Sequence, residues 1–101
     1  MQSENGMLKG DIQVEHDLQL NGMVTGSVTV LRGAHFRLNG TACKDLIVEA
    51  GSSAEVNGRV SGNVVNVGGD LVIRGVIDGS LKTVSGSTQT DPSARIGSER
   101  I

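Results

Sequence analysis

The chain has no tryptophan and no tyrosine, and Phe36 is its only aromatic residue. Domain cores ordinarily draw much of their buried area from aromatic rings. Here Val, Ile and Leu must supply it. Proline is almost absent too: Pro92 stands alone against fifteen glycines. Disordered segments favour proline, so this balance points to an ordered chain with many tight bends. A single cysteine, Cys43, excludes an internal disulfide, and no His/Asn constellation accompanies it as a nucleophile would need. Nine basic and eleven acidic residues leave no concentrated positive surface, which argues against nucleic acid as a partner. No apolar run approaches the ~20 residues of a bilayer-crossing helix, so no intrinsic membrane span is expected. The opening Met1–Asn5 has neither a basic nor an apolar signal-peptide region, and a cytoplasmic protein is the simplest expectation.

What the chain does have is a period. Asn-Gly occurs at Asn5-Gly6, Asn21-Gly22, Asn39-Gly40 and Asn57-Gly58, and Arg74-Gly75 continues the series, at intervals of 16, 18, 18 and 17 residues. A fixed internal period sets an architecture: one supersecondary unit stacked along an axis. Aligned on the Asn, apolar residues fall into columns. Leu18, Phe36, Ala54 and Leu71 lie three before, and Leu20, Leu38, Val56 and Ile73 one before. Leu8, Val24, Ala42, Val60 and Ile77 lie three after, and Ile12, Val28, Leu46, Val64 and Leu81 seven after. Val14, Val30, Val48, Asn66 and Thr83 lie nine after.

Within each repeat the apolar positions are two apart, the strand period, and are rich in β-branched residues. No stretch carries the stripe of an amphipathic helix. Each repeat therefore holds three short strands and three bends. The Asn-Gly is expected to turn one corner through left-handed backbone. A later Gly (Gly10, Gly26, Gly62, Gly79, with Lys44 in the third repeat) turns the second, and a variable segment turns the third. The fold class is all-β: a right-handed triangular parallel β-helix, or β-solenoid, of about five to six coils with 16–18 residues each. The hand follows from the right-handed crossover rule. Stacking about five coils at the ~4.8 Å strand spacing gives a rod of roughly 25 Å. Residues 1–101 form one domain, with repeats 5–20, 21–38, 39–56, 57–73 and 74–84. The apolar-poor stretch 85–93 reads as an exposed loop, and 94–97 as a partial terminal coil in which Ala94 and Ile96 repeat the spacing of Ala54 and Val56.

Nothing in the pattern carries catalysis. His16 and His35 fall at non-equivalent places in the variable bend, and the carboxylates form no recurrent pair for general acid/base work. The glycines are explained as corners, and no phosphate-binding loop followed by a helix is present. The chain is read as a non-enzyme without catalytic, cofactor or metal residues. Arg37 and Glu55 share an outward column on adjacent coils and are expected to face one another. Exposed apolar residues Met7, Met23, Ile47, Val65, Val72 and Val76 are candidates for a lateral interface. The ends are the strongest candidates, because an uncapped solenoid leaves open strand edges and apolar cross-section. Leu8, Ile12 and Val14 at one end, and Ala94 and Ile96 at the other, are the expected end-to-end assembly residues.

Asn21-Gly22-Met23-Val24-Thr25-Gly26-Ser27-Val28 and Asn57-Gly58-Arg59-Val60-Ser61-Gly62-Asn63-Val64 resemble the repeats of the bactofilins, bacterial polymer-forming cytoskeletal proteins. The likeness covers about residues 5–84. It implies a right-handed triangular β-helix, end-to-end self-assembly without nucleotide, and a scaffolding role, with the chain itself as partner. Lys44, Asn66 and Thr83 depart from the pattern. The alternative expectation is a protein-binding module, such as an immunity protein or antitoxin blocking a toxin, with the 85–93 loop as its decoration. Left-handed β-helix acyltransferases also stack triangular coils, but on a six-residue period that these repeats do not keep.

Overall fold

The computed structural model describes residues 2–99. The described chain is sixteen strands with no helix, and every strand pairing is parallel. The strands build six coils. Coil 1 is β1 (Gln2–Glu4), β2 (Met7–Leu8) and β3 (Ile12–Val14), and coil 2 is β4 (Leu18–Leu20), β5 (Met23–Val24) and β6 (Val28–Val30). Coil 3 is β7 (His35–Leu38), β8 (Thr41–Ala42) and β9 (Leu46–Val48), and coil 4 is β10 (Ser53–Val56), β11 (Arg59–Val60) and β12 (Val64–Asn66). Coil 5 is β13 (Asp70–Ile73) and β14 (Val76–Thr83), which runs through the second corner. Coil 6 is β15 (Ser87–Thr90) and β16 (Arg95–Glu99). The first face stacks β1-β4-β7-β10-β13-β15. The second stacks β2-β5-β8-β11 onto β14, and the third stacks β3-β6-β9-β12 onto the far part of β14. The principal extents are 34 × 24 × 21 Å.

The columns read from the sequence are the observed registers. Leu18 pairs with Phe36, Phe36 with Ala54 and Ala54 with Leu71. The other inward columns match in the same way, and their central members are fully buried. Phe36, the largest buried side chain, sits in the coil that also points Ala34 and Ala42 inward, with Ala54 stacked on it. Leu38, Leu46 and Val48 of the same coil are buried too, so the alanines leave the space that the ring fills. Arg37 and Glu55 do face each other, at 3.6 Å, and Arg74 Nη1 donates to the same Glu55 carboxylate at 3.1 Å. Such exposed pairs contribute about 0–1 kcal/mol.

The Asn-Gly corner works differently from the expectation. Positive φ occurs, among the described residues, only at Gly10, Gly33, Gly51 and Gly86; neither the Asn nor the Gly of any Asn-Gly pair is left-handed. Those glycines are required by close approach. A Cβ on Gly40 would collide with the carbonyl oxygen of Gly22 in the coil below, and the same holds up the column at Gly22, Gly58 and Gly75. The asparagines form a ladder. Asn21 Nδ2 donates to Asn5 Oδ1 at 2.8 Å, Asn39 to Asn21 at 2.9 Å, and Asn57 to Asn39 at 3.0 Å. Asn21 and Asn39 each both donate and accept in it, because a side-chain amide offers both groups and can bond its own kind at the coil spacing.

Two irregularities are resolved. Asn66, which follows Val14, Val30 and Val48 in its column, is fully buried and bonded. Its Oδ1 accepts the Gly69 N–H at 2.8 Å, and its Nδ2 lies 3.0 Å from Gly69 O, Ser87 O and Thr88 Oγ1. It sits where the third bend loses one residue, from the four of Glu49–Ser52 to the three of Val67–Gly69. The side chain bonds both the N–H and the carbonyl of Gly69 and so closes the turn that follows it. The stretch 85–93, expected as an exposed loop, is exposed over most of its length but holds a strand: Ser87–Thr90 pairs along its length with Asp70–Ile73. Thr88 and Thr90 take the inward register positions, so an alternation of β-branched threonines carries the strand where hydrophobicity does not. The terminal coil is displaced accordingly. Ile96 stacks on Ile77 of the second face, not in the column of Val56, because four residues, Asp91–Ala94, replace the usual two at the first corner. That corner is an Asp-Pro turn closed by Ala94 N donating to Asp91 O at 2.9 Å.

Gly40→Ala should destabilise the chain by about 2 kcal/mol or more, because carbonyl and methyl cannot both be accommodated. Gly33→Ala, where the added Cβ meets open space at φ 85°, should cost only about 1 kcal/mol of backbone strain. Asn66→Val, which the column pattern alone would favour, should cost about 2 kcal/mol or more by leaving the N–H of buried Gly69 unpaired. Denaturant unfolding followed by far-UV circular dichroism checks all three.

Candidate functional site at the ends of the solenoid

Strands in coils 2 to 5 are paired above and below. At the ends this stops: among the described residues, β1, β2 and β3 have one unpaired edge, and so do β15 and β16. Open parallel edges over a partly exposed core are the feature of this fold most able to bind another chain.

The end at coil 1 is a shallow depression of about 330 Å³ lined by Glu4, Leu8, Ile12, Gln13, Val14, Glu15, His16, Asp17 and Leu18. Leu8, Ile12 and Leu18 are half-buried, whereas Val14 is only 3% exposed. The short bend Glu15-His16-Asp17 forms an exposed polar rim. Glu4 is unexpected. It pairs in register with Leu20, which places it in the inward column of Leu20, Leu38, Val56 and Ile73. The signal was in the period: Glu4 precedes Asn5 as Leu20 precedes Asn21.

The other end is polar. Thr88 and Thr90 extend the columns of Leu71 and Ile73, and Thr83 extends that of Val48 and Asn66. Thr83 and Thr88 join their hydroxyls at 2.8 Å, which links the last coil to the Asn66 network. Ala94 and Ile96 are half-buried against the core, and Ile96 lines a depression of about 400 Å³ with Val76, Ile77, Asp78, Arg95 and Gly97. On its rim Asp78 accepts two hydrogen bonds from Arg59, at 2.9 and 3.1 Å, and this carboxylate holds the guanidinium above its ordinary pKa. At the preceding turn the Asp91 carboxyl lies below its ordinary range. The backbone N–H of Ser93 is the main cause and the Ser93 hydroxyl the second; both donate to Oδ1, at 2.9 and 2.8 Å.

The structure thus gathers Leu8, Ile12 and Val14 at one end and Ala94 and Ile96 at the other. It does not gather the six lateral candidates. Met7, Met23 and Val76 lie on the second face, where Thr41 and Arg59 interrupt them. Ile47 and Val65 are stacked neighbours on the third face between Thr29 and Lys82. Val72 is on the first face between Glu55 and Gln89. Met7 is 58% exposed, but these residues make no single stripe. His16 is exposed and His35 half-buried, and among the described residues no three His, Cys, Asp or Glu cluster as metal ligands would. Among the described residues no helix is long and apolar enough to cross a membrane. Comparison with family models, curated proteins and solved structures gives no match for this chain.

The Asp91–Ser93 bonds favour the ionised carboxylate. A group whose folded pKa is depressed stabilises the fold above its unfolded value and loses that contribution as pH falls through the folded value. Asp91→Ala should therefore lower the thermal midpoint at pH 7, and the gap to wild type should shrink as pH falls below about 4. Melting curves across that range test it.

Proposed function

We propose that this protein is a bactofilin-like structural scaffold that self-associates through the ends of its β-solenoid, without nucleotide. The observation that carries the reading is the open end of coil 1, where half-buried Leu8, Ile12 and Leu18 lie beside three unpaired strand edges. A second coil laid on this end would bury those side chains and pair those edges, gaining in both hydrophobic area and backbone hydrogen bonds. The coil 1 end is the stronger contact, because Thr83, Thr88 and Thr90 leave less apolar surface to cover at the other. The partner-blocking alternative takes the 85–93 stretch as its decoration, and within that stretch Ser87–Thr90 is part of the sheet.

Sedimentation velocity and electron microscopy of the purified chain test the proposal. Association should grow with concentration. Ile12→Arg should weaken it by about tenfold or more, since a buried unpaired charge costs more than the ~1.4 kcal/mol of one decade. Arg at Val72, on a side face, should leave it unchanged. A strictly monomeric wild type at high concentration overturns the reading.

A further inference from the structure

The coil 1 end combines features that oppose one another. Its floor and edges favour stacking, yet one of its inward columns ends in a carboxylate. Glu4 occupies the register position below Leu20 and lines the same depression as Leu8, Ile12 and Leu18. Any coil placed across this end covers that column. A carboxylate taken out of water without a partner is strongly disfavoured, and a neutral carboxyl much less so.

Among the described residues, no lysine or arginine lines that depression. β4, the strand paired with β1, carries Leu18, Gln19 and Leu20 and no charge. The bend that rims the depression carries Glu15, His16 and Asp17, of which only His16 can become positive. The charged residues of the remaining coil 1 corner, Lys9 and Asp11, do not line the depression. Inward-pointing charge at the end of a sheet is a known way of blunting an open edge.

We propose that Glu4 is a proton-controlled gate on end-to-end association with a second copy of this chain: ionised, it holds the coil 1 end apart, and protonated, it lets the end close. This rests on the self-association reading above. Covering the carboxyl in the assembly disfavours its charged form, so the interface is strongest where the carboxyl is protonated and weakens as pH rises and it ionises.

The test is the self-association constant of the purified chain by sedimentation at pH 4.5, 6.0 and 7.5, for wild type, Glu4→Gln and Glu4→Leu. Far-UV circular dichroism at each pH checks that the fold is kept. Wild type should associate about tenfold or more tightly at pH 4.5 than at pH 7.5, because less charge has to be taken out of water at the lower pH. Glu4→Gln should lose most of this dependence. Glu4→Leu, which extends the column of Leu20, should associate tightest at pH 7.5. Glu15→Gln, His16→Gln and Asp17→Asn should keep the wild-type profile. The gate is overturned, with self-association intact, if Glu4→Gln titrates like wild type or if the rim variants flatten the profile equally. If Glu4→Leu is monomeric at every pH, both the gate and the self-association reading fall.

Discussion

The spacing between hydrogen-bonded strands governs this molecule. Each coil lies one strand separation, ~4.8 Å, from the next, at corners as well as along faces. That leaves no room for a methyl group where the Gly22, Gly40 and Gly58 backbones pass one another. It sets the asparagine amides at the distance where each bonds the next. It also turns every inward position into a column whose members must add up to a constant girth. Phe36 is tolerated because Ala34, Ala42 and Ala54 surround it, so even the chain's single aromatic is placed by the stack.

The faces were legible in the sequence because strand alternation and a 16–18-residue period place apolar residues on a grid, and registers such as Leu18–Phe36 and Ile12–Val28 follow from counting. The corners were legible as places but not as mechanisms. Asn-Gly has a familiar association with left-handed turns, and only coordinates separate that from a close approach between backbones. Coil 6 was misplaced because Ser87–Thr90 is polar and Asp91–Ala94 is two residues longer than the other first corners. Threonine has the shape of valine and can end a column without an apolar signature. Among the end residues, Leu8, Ile12 and Ile96 were visible as members of apolar columns. Glu4 is not visible in that way, because it is a polar member of an otherwise mainly apolar column.

Seen together, the departures from the repeat have separate purposes. Asn66 repairs a shortened bend inside the stack. Thr83 and Thr88 carry its hydrogen bonding outward to the last coil, where apolar residues would otherwise lie open. Glu4 marks the opposite end with charge. The repeat makes a scaffold that could continue indefinitely, and these few polar substitutions give it two unlike ends.

The uniform reach of the pairings has one more consequence. Between successive coils, partners are separated in sequence by about one coil's length and no strand pairs beyond its neighbouring coils. Each added coil therefore closes a loop of nearly the same size and pays nearly the same entropy. The stability of such a stack is a sum of nearest-neighbour terms, as in a one-dimensional lattice. The apolar coils 3 and 4 are the natural place for order to begin, and the polar last coil the natural place for fraying. A molecule built this way melts from its edges inward, and a cap on either end would stiffen the whole rod by suppressing the first step.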